Sequence, residues 1–590
     1  MMRFQLLIFS LCLGSVAASG QNPNLKNTTM LAFEKNANTT ASYEETVAFY
    51  EALAQKHDQL ELSSHGMTDS GHPLHTVVLS KDKIFDPVAI KESGKRILLV
   101  NNAIHPGEPC GVEASMLLLR DYLEKETLQA YLENVVIVVI PFYNIGGGLN
   151  RNSHSRTNQL GPEAYGFRGN AKNLDLNRDF IKCDSRNART FNQIFNYWQA
   201  DIFVDNHTSN GADYPYTMTL IPTQYNKLDP AMAAYLKDRM LPRLFKDMKS
   251  RNWEMTPYVY ARSTPDEGIA GFLDLARYSS GYAALHHTIS FMPETHMLKP
   301  YEDRVKSTYA FMDVMIKTMH DDHDLIGTAR QKAFDTAKTQ KEFALNWTLD
   351  LDRVDSILFK GYEAKYKPSE VSGLSRLYYD RNAPYEKKIP FYNNYKPVLA
   401  VTKPIAYIIP QAYQEVIERL SWNGVKLARL TENVTTSVEM YRIGKFKTTE
   451  KAYEGHYLHS ELEVTTETRN WRYYKGDYVI YLNQASNRYI MEMLEPQGPD
   501  SFFSWNFFDG ILMQKEYFSS YVFEDLAAEM LRKDQSLKAE LDSRKKEDPK
   551  FANSAYEQLM FIYKRSPHYE PTHMLYPVAR VEQATSLPTE

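Results

Sequence analysis

The chain has 590 residues, 43% hydrophobic and 24% charged, with a formal net charge of −5. That length exceeds what one core organises, so about two to four domains are expected. The composition fits a soluble globular protein, and the charge balance gives no basis for nucleic-acid binding.

The first residues read as a targeting segment. Arg3 supplies a basic start, 4–16 is apolar, and Ala17-Ala18-Ser19-Gly20 are small residues suited to cleavage. The apolar run is too short to span a membrane stably, and no later run is long and apolar enough. A signal peptide over 1–20 is expected, giving a periplasmic or secreted protein without a membrane span. Of the three cysteines, Cys12 leaves with the signal. Cys110 and Cys183 remain, and both a disulfide and two buried thiols stay open.

Spacing of apolar residues predicts a helix over 42–58, followed by a short strand at 76–79. The runs 96–101 and 135–140 suit buried strands, with a helix from about 111 to 125 between them. A helix over 185–198 and a strand over 201–205 come next, then a strand at 289–292 and a closing helix over 301–319. This alternation predicts an α/β domain with a mixed, mostly parallel sheet and flanking helices.

A polar helical connector is expected over 321–345, after which the character changes. Strands are expected at 405–410, 425–430 and 478–482, with helices over 414–422 and 523–545. The organisation predicted is a catalytic domain over 21–335, a linker over 336–367, and an accessory α+β or β-rich domain over 368–590. Trp471, Tyr473, Tyr474 and Trp505 are candidate binding platforms there, the alternative being that the domain packs on the catalytic half.

Four stretches carry chemistry. His105-Pro106-Gly107-Glu108 follows a buried strand, and Pro-Gly favours the turn that lets both outer residues face one ion. His207 ends another strand and can supply a third ligand, leaving a fourth position open as in catalytic zinc sites. Asp175 suits the outer carboxylate that fixes a ligand histidine's tautomer, and Asp205 could act likewise. Asn177 and Arg178 pair a neutral donor with a guanidinium fork matched to a carboxylate, and Arg168 could polarise a scissile carbonyl. Glu294, after an apolar strand, suits a general base; an edge-strand role paired with Lys299 or Arg304 is the alternative.

The motif set resembles the zinc metallocarboxypeptidases of the carboxypeptidase A and D type, the M14 superfamily. The resemblance rests on His105-x-x-Glu108, on Phe167-Arg168-Gly169-Asn170 through Asn177-Arg178-Asp179-Phe180, on His207 and on Glu294, across roughly residues 40 to 320. His207-Thr208-Ser209-Asn210-Gly211 and Glu294-Thr295-His296-Met297-Leu298 are closer to bacterial envelope members than to digestive ones. The resemblance implies one zinc ion on His105, Glu108 and His207. It implies substrate-carboxylate binding by Asn177 and Arg178, oxyanion help from Arg168, and Glu294 as base. The family's capping tyrosine is replaced near its usual place by Phe272, leaving Tyr278 or Tyr282 as substitutes. The specificity position falls near Ser279, where Arg277 would favour an acidic side chain.

The function expected is an exported zinc carboxypeptidase acting on peptides, with cell-wall or dietary peptides as candidate substrates. A zinc amidohydrolase acting on N-acyl amino acids is the nearest alternative, and an inactive peptide- or glycan-binding relative is a third. Oligomeric state is not legible.

Overall fold

The computed structural model describes residues 30–583 and 586–590. The expected signal peptide over 1–20 lies outside the described residues. No helix among the described residues is long and apolar enough to cross a membrane.

The strands in chain order are β1 (Leu60–Met67), β2 (Pro73–Leu79), β3 (Arg96–Asn101), β4 (Val135–Ile140), β5 (Ile202–Asp205), β6 (His207–Ser209), β7 (Met218–Pro222), β8 (Met255–Pro257), β9 (Ile269–Ala270) and β10 (Ile289–His296). All but β9 form one sheet, ordered β1-β2-β4-β3-β5-β10-β7-β8, with β6 also paired to β10. The contacts β3–β4, β3–β5, β5–β10, β6–β10 and β7–β8 are parallel, whereas β1–β2, β2–β4 and β7–β10 are antiparallel. The sheet is therefore mixed and mostly parallel, as the alternation of strands and helices predicts.

β3 and β4 are apolar along their length because both faces are covered. Leu98, Val100, Ile137 and Val139 enter one core, and Ile97, Leu99, Val136 and Val138 enter the other. The first core is closed by helices Tyr43–Lys56, Cys110–Glu124 and Tyr301–Asp321. Tyr43–Lys56 starts on a reciprocal cap between Ser42 and Glu45, which satisfies two end N–H groups.

The second core is shared with the C-terminal half. Helix Arg186–Trp198 supplies Phe191, Ile194 and Phe195, while helices Gln414–Trp422 and Asn487–Leu494 supply Val416, Leu420, Ile490 and Met493 to the same cluster. The C-terminal half holds a six-stranded antiparallel sheet: Ala428–Arg429, Tyr478–Tyr481, Ala406–Ile409, Ala579–Val581, Val434–Ile443 and Val464–Tyr473, in that spatial order. It is thus of α+β type.

The stretch expected as a linker, 336–367, is regular structure instead. Helix His323–Thr339 runs into it, then come strands Glu342–Leu349 and Asp355–Pro368. Asp355–Pro368 and Ser375–Tyr392 form a long hairpin whose second strand pairs with β9 at Phe391 and Tyr392. Its strands are held by pairing, Glu342–Leu349 with Tyr395–Thr402 and Asp355–Pro368 with Ser375–Tyr392, so the stretch is not a linker. The strand expected over 425–430 is reduced to Ala428–Arg429. Cys110 and Cys183 are both free and buried, so the disulfide alternative falls.

Candidate active site

The predicted ligands converge where β3, β5 and β6 end or begin. Beyond Asn101 the chain turns through Ala103, whose φ of +54° is a left-handed conformation unusual for alanine. Asn144 Nδ2 donates to the Ile104 and Arg168 carbonyls and ties this turn to the next motif. His105 and Glu108 then lie just ahead of helix Cys110–Glu124, and His207 opens β6. One ligand atom each from His105, Glu108 and His207 lie within 4.8 Å of one another. All three side chains are buried.

The donor set fits a divalent cation. His105 Nε2 lies 2.8 Å from Asp175 Oδ1, and His207 Nε2 lies 2.9 Å from Asp205 Oδ2. Each carboxylate accepts the N–H there, so each ring turns its Nδ1 lone pair inward. Those Nδ1 atoms stand 3.3 and 3.2 Å from the two Glu108 oxygens. Lone pairs facing a carboxylate repel without a positive charge between them, and His105 Nδ1 is a buried nitrogen with no hydrogen-bond partner. Two imidazoles and a carboxylate are the ligand types a catalytic zinc takes, with one position left open.

Charge around the ligands is fixed tightly. Burial works against ionisation of Asp175, yet His105, Arg168 and Arg178 hold its carboxyl well below the usual range. Glu108 accepts from the Thr208 backbone N–H at 2.8 Å and from Arg156 Nη1 at 2.7 Å. Arg156 also donates to the Thr208 carbonyl at 2.9 Å, so one guanidinium clamps two ligand segments together. Its aliphatic stem passes over Gly107, where a Cβ would sit 2.6 Å from Arg156 Cδ. Only glycine leaves room for that crossing.

A cavity of about 400 Å³ opens onto the ligands, lined in part by Arg168, Asn177, Arg178, Tyr278 and Glu294. Glu294 is paired in register with His207 across the parallel β6–β10 contact. Burial pushes its carboxyl up to about 7, with Glu108 adding to the rise and His207 opposing it. Lys299 bonds the Tyr214 carbonyl, and Arg304 bonds the Leu160 and Gly161 carbonyls, so neither pairs with Glu294. Arg168 is anchored by its Nε to Asp175 Oδ2 at 2.9 Å, while 46% of its side chain stays exposed. Asn177 Oδ1 accepts from Ser279 N at 3.1 Å, and Arg178 lies 4.4 Å above the Tyr278 ring. Of the capping candidates, Tyr278 reaches the cavity.

Two expected substrate contacts are placed elsewhere. Arg277 donates through Nε and its backbone N–H to Asp500, each at 2.8 Å, and stacks on Trp505, so a side-chain carboxylate of the C-terminal half neutralises it outside the cavity wall. Tyr282 is fully buried among Phe180, Phe195 and His286, with its hydroxyl on Asn423 Oδ1 at 2.6 Å. Its apolar ring is a core element. Trp505 and Tyr473 are likewise buried and offer no platform.

Three residues near the site escaped the sequence reading. Arg156 lies in the polar run 150–159, which has no periodicity or motif to mark it. Tyr453 and Glu454 come from the distant C-terminal half. Tyr453 Oη accepts from Arg178 Nε at 3.0 Å, and Glu454 Oε2 accepts from the Asp175 N–H at 2.8 Å. The one local hint was Glu454-Gly455, a dipeptide suited to a two-residue turn.

Residues 46–228 match the zinc carboxypeptidase family model. Carboxypeptidase 2 of Trichophyton rubrum is 23% identical, over 70% of this chain and 74% of the relative. Carboxypeptidase 2 of Trichophyton equinum is 23% identical over 72% and 76%. A metallo-carboxypeptidase from Pseudomonas aeruginosa, solved with (2-guanidinoethylmercapto)succinic acid, superposes with a TM-score of 0.36 at 17% identity, covering 48% of this chain and 70% of that one. Carboxypeptidase A from Helicoverpa armigera gives 0.38 at 13% identity, covering 52% and 76%. Because the match spans all three convergent ligands, residues 46–228 carry a zinc carboxypeptidase domain of the M14 type, and the enzyme is a peptidase.

Proposed function

We propose that this protein is an exported carboxypeptidase that removes C-terminal residues from peptides, with one zinc ion on His105, Glu108 and His207. The observation that carries this reading is the single cavity onto which the three ligands, Glu294 and the Asn177–Arg178 pair all open. A bound zinc ion would supply Lewis-acid polarisation and lower the cost of deprotonating water near neutral pH.

The chain's own residues do the rest. Asn177 and Arg178 hold the substrate's terminal carboxylate. Arg168, held through Nε by Asp175 and through Nη1 by Glu108, keeps Nη2 for the oxygen that gains charge when the amide is attacked. Glu294 takes a proton from the attacking water and returns it to the departing amine. Burial raises this carboxyl, a bound cation would oppose that rise as His207 does, and its place beside the ligands suits it to both transfers. Ile221, Phe272 and Met292 also line the cavity. With Arg277 committed to Asp500, these walls favour an apolar C-terminal side chain over an acidic one. The apolar run at the N-terminus supports export.

Kinetics on matched peptides ending in a free carboxylate, an amide, Leu or Glu, together with metal content, test the reading. Turnover of free Leu-ending peptides with loss on amidation is expected. Equal turnover of amidated peptides would remove the grip on a terminal carboxylate, and preference for N-acyl amino acids would replace the reading with an amidohydrolase.

A further inference from the structure

The C-terminal half does more than cover the second face of the sheet. One of its loops reaches the residues that grip the substrate. Tyr453 and His456 exchange backbone hydrogen bonds at 2.7 and 3.1 Å. Between them Glu454 and Gly455 have φ of +52° and +86°. Two successive left-handed residues closing reciprocal bonds make a tight hairpin tip of the type that twists with its flanking strands.

The tip is held from several directions. Glu454 takes the Asp175 N–H. His456 bridges Asp184 Oδ2 at 2.7 Å and Asn506 Oδ1 at 2.5 Å. The Tyr453 ring stacks on Trp505 at 6.2 Å with 26° between planes, and Arg277 lies 5.6 Å over its face. A phenol so enclosed has little freedom, and its hydroxyl meets Arg178 Nε.

That contact selects how Arg178 binds an anion. A guanidinium offers a carboxylate two edges: Nε with one Nη, or the two Nη groups. Tyr453 takes Nε, and the Asn177 carbonyl takes a proton of Nη1 at 2.9 Å. Among the described residues Nη2 bonds no protein atom, so the end-on pair stays available. The Tyr278 ring below the guanidinium fixes its plane.

We infer that Tyr453 is a positioning residue for substrate recognition: the accessory half supplies the hydroxyl that fixes Arg178 end-on to the substrate's terminal carboxylate. This rests on the carboxypeptidase reading above. The substrate carboxylate is bound alike before and during reaction, so loss of the hydroxyl weakens binding without slowing the bound complex.

Steady-state kinetics of the full chain decide it, using Tyr453→Phe, Arg178→Lys and the double variant on Leu-ending peptides with free or amidated termini. Tyr453→Phe keeps the ring on Trp505. It is expected to raise KM for the free peptide about five- to ten-fold, the scale of one ordinary net hydrogen bond, with kcat near wild type. It should add nothing in the Arg178→Lys background, because the effect passes through Arg178. Should Tyr453→Phe not fold, Glu454→Ala, which loosens the same tip from Asp175, is expected to raise KM in the same sense. A wild-type enzyme that discriminates against amides while Tyr453→Phe leaves KM unchanged overturns the inference alone. A fall in KM would make Tyr453 a competitor for Arg178 and also overturn it. A wild-type enzyme indifferent to amidation overturns both this inference and the carboxypeptidase reading.

Discussion

Glu294 and His207 are backbone partners across two parallel strands, in register also with Thr295 on Thr208 and His296 on Ser209. One run of sheet hydrogen bonds therefore sets the spacing between a metal-ligand segment and the carboxylate proposed to move protons. Catalytic geometry held by a ladder is stiffer than geometry held by loops.

The first prediction follows from that pairing. Glu294→Gln keeps size and cavity shape but removes the proton acceptor. It should lower kcat by about 10²–10⁴, the usual contribution of a general base, while zinc content by atomic absorption stays at the wild-type level. Wild-type turnover in the variant would assign the proton transfer to another group.

Chelation should destabilise the protein as well as silence it. Without a cation the buried ligands can only satisfy one another: His207 Nδ1 must take up a proton to bond Glu108, and His105 Nδ1 is left without a partner. Dialysis against a chelator should lower Tm, and zinc should restore it where magnesium, which prefers an all-oxygen shell, does not. In His207→Ala the zinc-dependent rise in Tm should vanish. An identical Tm with and without zinc would remove the metal from this site.

Arg156 gives a third test. It is the guanidinium that joins Glu108 to the Thr208 carbonyl. Lysine cannot span both acceptors with a planar fork, so Arg156→Lys should weaken zinc about 10–100-fold in competition with a chromogenic chelator, the range for losing an outer partner of a ligand. Unchanged zinc affinity would reduce Arg156 to a surface strut.

A fourth concerns pH and the contact between the two halves. Burial disfavours the charged form of His456, but the Asp184 carboxylate and Asn506 raise its pKa above the usual value. Burial likewise opposes ionisation of Asp184, yet His456 and Lys182 bring it down to about 2. His456, with a raised folded-state pKa, stabilises fully below its unfolded value of about 6.5, and the contribution fades as pH rises through the higher folded value. Asp184, with a lowered one, contributes above about 3.9 and loses its share as pH falls toward 2. The pair is worth about 1–3 kcal/mol as a hydrogen bond between charged groups. Tm of wild type should fall more steeply than that of His456→Gln as pH rises from about 6.5. Parallel curves would show that the ring is neutral in the folded protein.

Much of the catalytic half was legible because its signals are local. The continuous apolar runs of β3 and β4 are what a doubly covered parallel strand requires, and both fall at the expected residues. His105, Glu108, His207 and Glu294 stand next to such strands, so finding the strands located them. Arg277 and Tyr282 misled for a physical reason. A basic residue at a specificity position and a tyrosine near a capping position look alike in sequence whether they face the cavity or a partner. Here Asp500 and Asn423, both more than 140 residues away, decide the matter. The supposed linker failed because its strands are exposed and polar on one side, while the partners that order them, Ser375–Tyr392 and Tyr395–Thr402, lie further along the chain. Tyr453 and Arg156 could not be seen, because nothing in their own segments records what they touch.

The apolar cluster common to both halves bears on how the chain acquires and keeps its shape. Leu420, Met493 and Trp505 pack in the same cluster as Leu99 and Phe203. A chain ending near residue 340 would leave one whole side of the sheet wet and sticky. Such a fragment should aggregate rather than persist as a minimal enzyme. The two halves are expected to melt together, and a polypeptide emerging N-terminus first must hold its unfinished half open until the last strand, Ala579–Val581, arrives.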